Sequence, residues 1–112
     1  MSLVFIAVPT SGVIIDGRPG EAFLKNIAIY HRVFRDATFV VPMIQDYALL
    51  PFLEGIDATW EVWGQHCERH IKACDEVWVI QFDGWETSTG VQAEIKLARK
   101  FNKTLVFMRP CV

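Results

Sequence analysis

Residues 83–94 read Asp-Gly-Trp-Glu-Thr-Ser-Thr-Gly-Val-Gln-Ala-Glu and follow the apolar run Val77, Trp78, Val79, Ile80. Asp83-Gly84 is a turn signal that ends a strand. Thr89-Gly90-Val91-Gln92 fits the capping-box pattern, in which a hydroxyl and an amide satisfy exposed helix N–H groups, so a helix is expected to start near Thr89. A helix N-terminus with free N–H groups, a glycine at Gly90 and hydroxyls at Thr87, Ser88 and Thr89 is a seat for a phosphate. Glu94 follows one turn later, and helical side chains lean toward the N-terminus, so its carboxylate is expected beside that seat. A helix also needs such residues for stability alone: hydroxyl caps and early acidic residues each contribute about 0.3 to 1 kcal/mol. On spacing, both accounts stand.

The rest of the chain must position this stretch. Residues 3–8, 38–41, 77–82 and 104–108 are short, continuously apolar and rich in Val, Ile and Phe, the pattern of strands buried on both faces of a parallel sheet. Between them lie segments of helical period, marked by Phe23, Ile27, Tyr30 and Phe34, then by Trp60, Trp63, Cys67, Ile71 and Cys74, then by Val91, Ile95 and Ala98. Strands alternating with helices predict a small doubly wound α/β domain, flavodoxin- or Rossmann-like, spanning residues 1–112. Four or five parallel strands in the order 2-1-3-4 are expected, with helices on both faces. Ligands of such folds bind outside the carboxyl ends of the strands, where strand order reverses. The loops after the first and third strands, residues 9–20 and the stretch from Asp83, are therefore the expected crevice.

Composition excludes several classes. At 112 residues and net charge -2, the chain lacks the strongly basic character of a nucleic-acid binder, and Lys96, Arg99, Lys100 and Lys103 read as a solvated helix face. No apolar run approaches the roughly 20 residues that span a bilayer. No secretory signal is seen at the start of the sequence, and three cysteines without a CxxC pair fit a reducing compartment, so a cytoplasmic protein is expected. An apolar share of 52% with mean hydropathy +0.25 is more than so short a chain buries alone, which predicts a homo-oligomer, a dimer or tetramer.

The spacing of Ser88, Gly90 and Glu94 after a third parallel strand, preceded by Asp83-Gly84-Trp85 and followed by an amphipathic helix and Lys103-Thr104-Leu105-Val106-Phe107-Met108, resembles the nucleoside 2-deoxyribosyltransferase-like superfamily, and within it a group of small bacterial and phage proteins. The resemblance implies that Glu94 is a nucleophile attacking the anomeric carbon of a nucleoside. Deoxyribosyltransferases carry an aspartate at the position of Ser88. The 2′-deoxynucleoside 5′-monophosphate N-glycosidases are more similar, because a serine there binds the 5′-phosphate. The chemistry implied is a glycosyl-enzyme ester formed through an oxocarbenium-like transition state and released by water, with a small-molecule nucleotide or nucleoside as partner and no cofactor.

A second acid should protonate the departing base or activate that water. The superfamily usually places an aspartate a little more than two helical turns ahead of the position matching Asp75, but His66, Cys67 and Glu68 stand there. With the second helix starting near Asp57, those residues fall mid-helix, several turns from the strand ends. Asp57, an N-cap or an acid, and Asp83, at the strand end, are therefore the candidates. The aromatic that many members carry near the end of the first strand is absent.

In the first loop Thr10, Ser11 and Gly12 are candidates for wrapping the sugar and phosphate, and Arg18 for pairing with the phosphate; a solvated surface loop is the alternative. Trp85 either stacks on a base or packs as a lid on the sheet edge. Trp60 and Trp63 share a stripe with Ile71 and read as core or interface. His66 and His70 have zinc-ligand spacing on a helix, but no third ligand accompanies them and no metal is expected. Tyr47 and residues 49–53 lie in the longest connection, over a pocket or at an interface. Two other readings remain: a nucleotide-binding module without catalysis, motivated by the missing aromatic and aspartate, and a flavodoxin-like electron carrier, resting on residues 87–90 as a flavin phosphate loop.

Overall fold

A computed structural model describes residues 2–49, 52 and 60–111, and side chains from residue 64 onward in the second part. The main sheet has four strands, β1 (Ser2–Ala7), β4 (Ala37–Val40), β5 (Glu76–Ile80) and β6 (Thr104–Met108), in the order β4-β1-β5-β6. All three pairings are parallel, with Phe5 level with Val77 and Val40, and Trp78 level with Val106. This is the expected 2-1-3-4 order. Strand order reverses at β1, which has β4 on one side and β5 on the other.

After Ser2 and Glu76 at their starts, the two central strands are continuously apolar because each of their faces meets a different core. Val4, Ile6, Val8, Trp78, Ile80 and Phe82 point to one side, where α2 (Glu21–Val33) applies Phe23, Ile27 and Tyr30. Phe5, Ala7, Val77 and Val79 point to the other, where α4 (Trp60–Ala73) and α5 (Thr89–Lys100) apply Cys67, Ile71, Val91, Ile95 and Ala98. The helical stripes follow the expected period. At the lower end of the sheet the Asp75 carboxylate accepts from the Leu3 N–H at 2.7 Å and the Asp75 N–H donates to the Leu3 carbonyl, which fixes the β1–β5 register. Lys103 donates to the Lys72 carbonyl at 2.9 Å and closes the end of α4. Asn102, with φ 55°, takes the left-handed position that ends α5.

Two connections are more ordered than the sequence pattern indicates. The first loop contains a helical turn, α1 (Thr10–Val13), and a hairpin of β2 (Ile14–Ile15) and β3 (Arg18–Pro19). Asp16 and Gly17 both have positive φ, 52° and 76°, the geometry of a type I′ turn that matches strand twist. After β4 the chain forms α3 (Pro42–Leu49), which packs against β3. No described helix is long and apolar enough to cross a membrane.

Candidate functional site

The loops after β1 and β5 meet, as the switch-point rule requires. A Cβ placed on Gly12 would lie 2.6 Å from the Asp83 carbonyl oxygen, and one on Gly84 would lie 2.9 Å from Ser11 Oγ. Gly84 also has φ +92°, which favours glycine independently. Backbone therefore touches backbone at this junction. Thr10, Ser11 and Asp83 are exposed around it. Arg18 is exposed on the hairpin, opposite Ile15. Asp57 lies outside the described residues, as does most of residues 49–53.

The start of α5 differs from the expected capping box by one position. Ser88 is the N-cap, and the Val91 N–H donates to its Oγ at 3.3 Å. Thr89 is the first helical residue. The Gln92 amide turns back to the preceding loop and donates to the carbonyls of Glu86 at 3.0 Å and Trp85 at 3.5 Å. A hydroxyl one position earlier wins because its side chain reaches the N3 donor while Gln92 is drawn to carbonyls left open by the 83–87 turn. Ser88 keeps its O–H for another acceptor. At Gly90, a Cβ would meet no heavy atom nearer than Ser88 Oγ at 4.0 Å. Nothing among the described residues requires a glycine there, although glycine weakens a helix; its effect is to leave the first-turn N–H groups open to approach.

Trp85 is half-buried against the α4–α5 core, its ring 5.6 Å from that of Phe107 on β6 and tilted by 53°. It lies on the edge strand, and a base could reach only the ring surface that Phe107 leaves uncovered.

Glu94 does not stand free in the crevice. It shares the buried stripe of α5 with Val91, Ile95 and Ala98 and is 8% exposed. Burial in this apolar layer disfavours the charged form and pushes its carboxyl up to about 8; the Cys67 thiol, in hydrogen-bonding reach, pulls weakly the other way. Cys67, on α4, is likewise 8% exposed, and its thiol is pushed far above the ordinary range by burial and then by Glu94. Asp46 of α3 acts on the same thiol. Its own carboxyl is raised by burial and held back by His66 and His70. The thiol is thus influenced by carboxyl groups from two different elements, α5 and α3.

Neither Cys67 nor Asp46 figured among the site residues read from the sequence. Cys67 lies mid-helix, well below the strand ends, but Glu94 is also below the start of its own helix. A carboxylate on the stripe 91-94-95-98 and a thiol on the stripe 67-71-74 were the available signals. Asp46 had none, since it lies in a connection without a repeating pattern. Among the described residues no group of three His, Cys, Asp or Glu side chains is arranged to hold a metal ion. Residues 87–90 follow β5, whereas a carrier's flavin phosphate loop would follow β1.

The family model described as "Domain of unknown function (DUF1937)" matches residues 2–109. The chain belongs to that family. No curated protein and no solved structure matches it. The DUF1937 match covers both crevice loops, α3, and the whole of α4 and α5, so the crevice and the α4–α5 core fall inside the family domain.

Proposed function

We propose that this chain hydrolyses the N-glycosidic bond of a deoxynucleoside 5′-monophosphate, with Glu94 as nucleophile; transfer of the sugar between bases is the less favoured variant. The observation that carries the reading is the arrangement on α5. A capped N-terminus with a sterically unnecessary glycine is followed one turn later by a carboxyl group sunk in an apolar layer at a strand-order switch.

In the proposed reaction the 5′-phosphate sits over the Ser88 hydroxyl and the first-turn N–H groups of α5, with Arg18 able to swing in from the hairpin. A Glu94 oxygen forms a bond to C1′ while the C1′–N bond breaks, its electron pair leaving with the base. An acid delivers a proton to the base; water then attacks C1′, gives its proton back to the deprotonated acid, and breaks the C1′–O bond to free the sugar phosphate and the Glu94 carboxylate. Asp46 and Asp83 are the described carboxyl groups available for the acid; Asp46, with its raised affinity for protons, suits the role better.

A nucleophilic Glu94 must be ionised, so kcat/KM should rise with pH to a plateau with an apparent midpoint near 8. If Glu94 served as the acid, the same profile would fall instead. Release of free base from a panel of nucleoside monophosphates is the direct assay. Glu94→Gln should abolish it; an inactive wild type, or a fully active variant, would overturn the proposal.

That burial keeps Glu94 largely protonated near neutrality also favours a second reading, a nucleotide-binding module without turnover. Calorimetric titration showing binding without base release would select it, and absence of binding would remove both readings. For either, we place the protein in the cytoplasm as a homo-oligomer. The groove between α4 and α5, lined by Gly64, Glu68, Ala93, Lys96, Leu97 and Lys100, is the face most suited to a second copy because it carries both charge signs beside small residues.

A further inference from the structure

The turn between β5 and α5 pairs only part of its own main chain. The Trp85 N–H donates to the Phe82 carbonyl at 3.1 Å and the Thr87 N–H to the Gly84 carbonyl at 3.3 Å, with the Thr87 hydroxyl on the same carbonyl at 3.4 Å. These bonds are local to the turn. The carbonyls of Trp85 and Glu86 are taken from outside it, by the side-chain amide of Gln92, at 3.5 and 3.0 Å. An NH2 group has two donors, and here it meets two acceptors.

Gln92 does not do this for its helix. Ser88 already caps α5 through the Val91 N–H at 3.3 Å, and the Gln92 main-chain N–H makes the ordinary helical bond to the Ser88 carbonyl at 3.0 Å. A capping-box amide stands at the third helical position and returns to the N–H of the cap residue. Gln92 stands at the fourth and donates to carbonyls six and seven residues back. Fixing so long a side chain costs rotamer freedom, and what it secures is the loop. On its other side the loop abuts the first crevice loop, where a Cβ on Gly84 would lie 2.9 Å from Ser11 Oγ. Residues 84–86 are thus held between Ser11 and Gln92. They belong to the rim of the crevice: Asp83, Gly84, Glu86 and Thr87 are exposed, and Trp85 is half-buried with its ring on Phe107.

We propose that Gln92 is a positioning residue of the crevice, its amide holding the Trp85 and Glu86 carbonyls so that the loop ahead of α5 is ordered before substrate arrives. The kinetic consequence rests on the deoxynucleoside monophosphate reading; the ordering itself does not depend on turnover. A loop not held beforehand must be ordered by the substrate, which lowers affinity. Loss of the amide should therefore weaken binding and spare the bond-breaking step, because the partners of the amide are loop carbonyls.

Two variants separate the donor from the helix that carries it. Gln92→Met removes both donors at nearly the same length, Gln92→Lys restores a donor group, and all three residues have similar helix propensity. In hydrogen–deuterium exchange of the full chain, read by mass spectrometry, peptides spanning residues 83–90 should exchange faster in the Met variant and close to wild type in the Lys variant, while peptides from the sheet stay unchanged. In the base-release assay Gln92→Met should raise KM for deoxynucleoside monophosphates about 10-fold, the worth of roughly one hydrogen bond, with kcat little changed. Wild-type exchange in the Met variant overturns the proposal, as does a Lys variant exchanging like Met or a loss confined to kcat. If the wild type releases no base, the catalytic reading fails by itself, and exchange in residues 83–90 still decides whether Gln92 orders the loop.

Discussion

The α2 side of the sheet is an aromatic assembly, in which Tyr30, Phe34, Phe39 and Trp78 meet largely edge to face with ring centroids 5.0 to 5.9 Å apart. The α4–α5 side, across the same strands, is mostly aliphatic, with Phe5 its one fully buried ring, and includes two buried thiols and the Glu94 carboxyl. Edge-to-face rings add about 0.5 to 1.5 kcal/mol per pair beyond the area they bury. A lone carboxyl in hydrocarbon subtracts stability as soon as it ionises. One face thus has the features of a stability core, and the other accepts a pH-dependent loss, as sites of chemistry commonly do.

That contrast can be broken most forcefully at Trp78. Trp78→Ala should cost about 3 to 5 kcal/mol in urea unfolding, because the indole fills the middle of this ring cluster, against Tyr30, Phe34 and Phe39. Glu94 should instead act through pH. Below about 4.5 both folded and unfolded chains hold its proton, and above about 8 neither does. Between those values only the folded chain holds it, so stability should fall as pH rises through the window and level off beyond, with a slope of at most about 1.4 kcal/mol per pH unit from this group. Glu94→Gln should flatten the curve and make the protein more stable than wild type at pH 8. A slope unchanged in the variant would mean the carboxyl is not held neutral by the fold.

Smaller effects sharpen the comparison at the crevice. Gly12→Ala drives a methyl onto the Asp83 carbonyl and should cost about 1 to 3 kcal/mol, read by thermal unfolding, with base release reduced because the two loops must separate. Ser88→Ala removes the cap of α5 and should cost about 1 kcal/mol. If Ser88 also holds the phosphate, that variant should raise KM for nucleoside monophosphates and leave the free nucleosides unaffected.

Much of this was readable beforehand. Strands with apolar residues on both faces announce a sheet covered on both sides, and the order of runs and periodic segments then leaves few topologies. The hairpin at residues 14–19 was missed although Asp16-Gly17 is a strong turn pair, since flanks of only two residues each carry no alternation to read. The influence of Glu94 on Cys67 needs the relative height of two helices, which depends on how each packs on the sheet and not on spacing within either. Trp85 and Phe107 meet only because β6 is the edge strand next to β5. Local chemistry was legible; the partners of each group were set by packing.

The meeting of Gly12 with Asp83 has a consequence for how such a domain can diversify. At Gly12 the distance between the two loops is gauged by the Asp83 main chain, whereas at Gly84 the Ser11 hydroxyl occupies the space that a Cβ would need. The Thr10 and Asp83 side chains are exposed beside these contacts and not within them. Substituting them alters what the crevice prefers to hold without altering its width, so ligand choice and loop architecture can vary separately in relatives that keep the glycine.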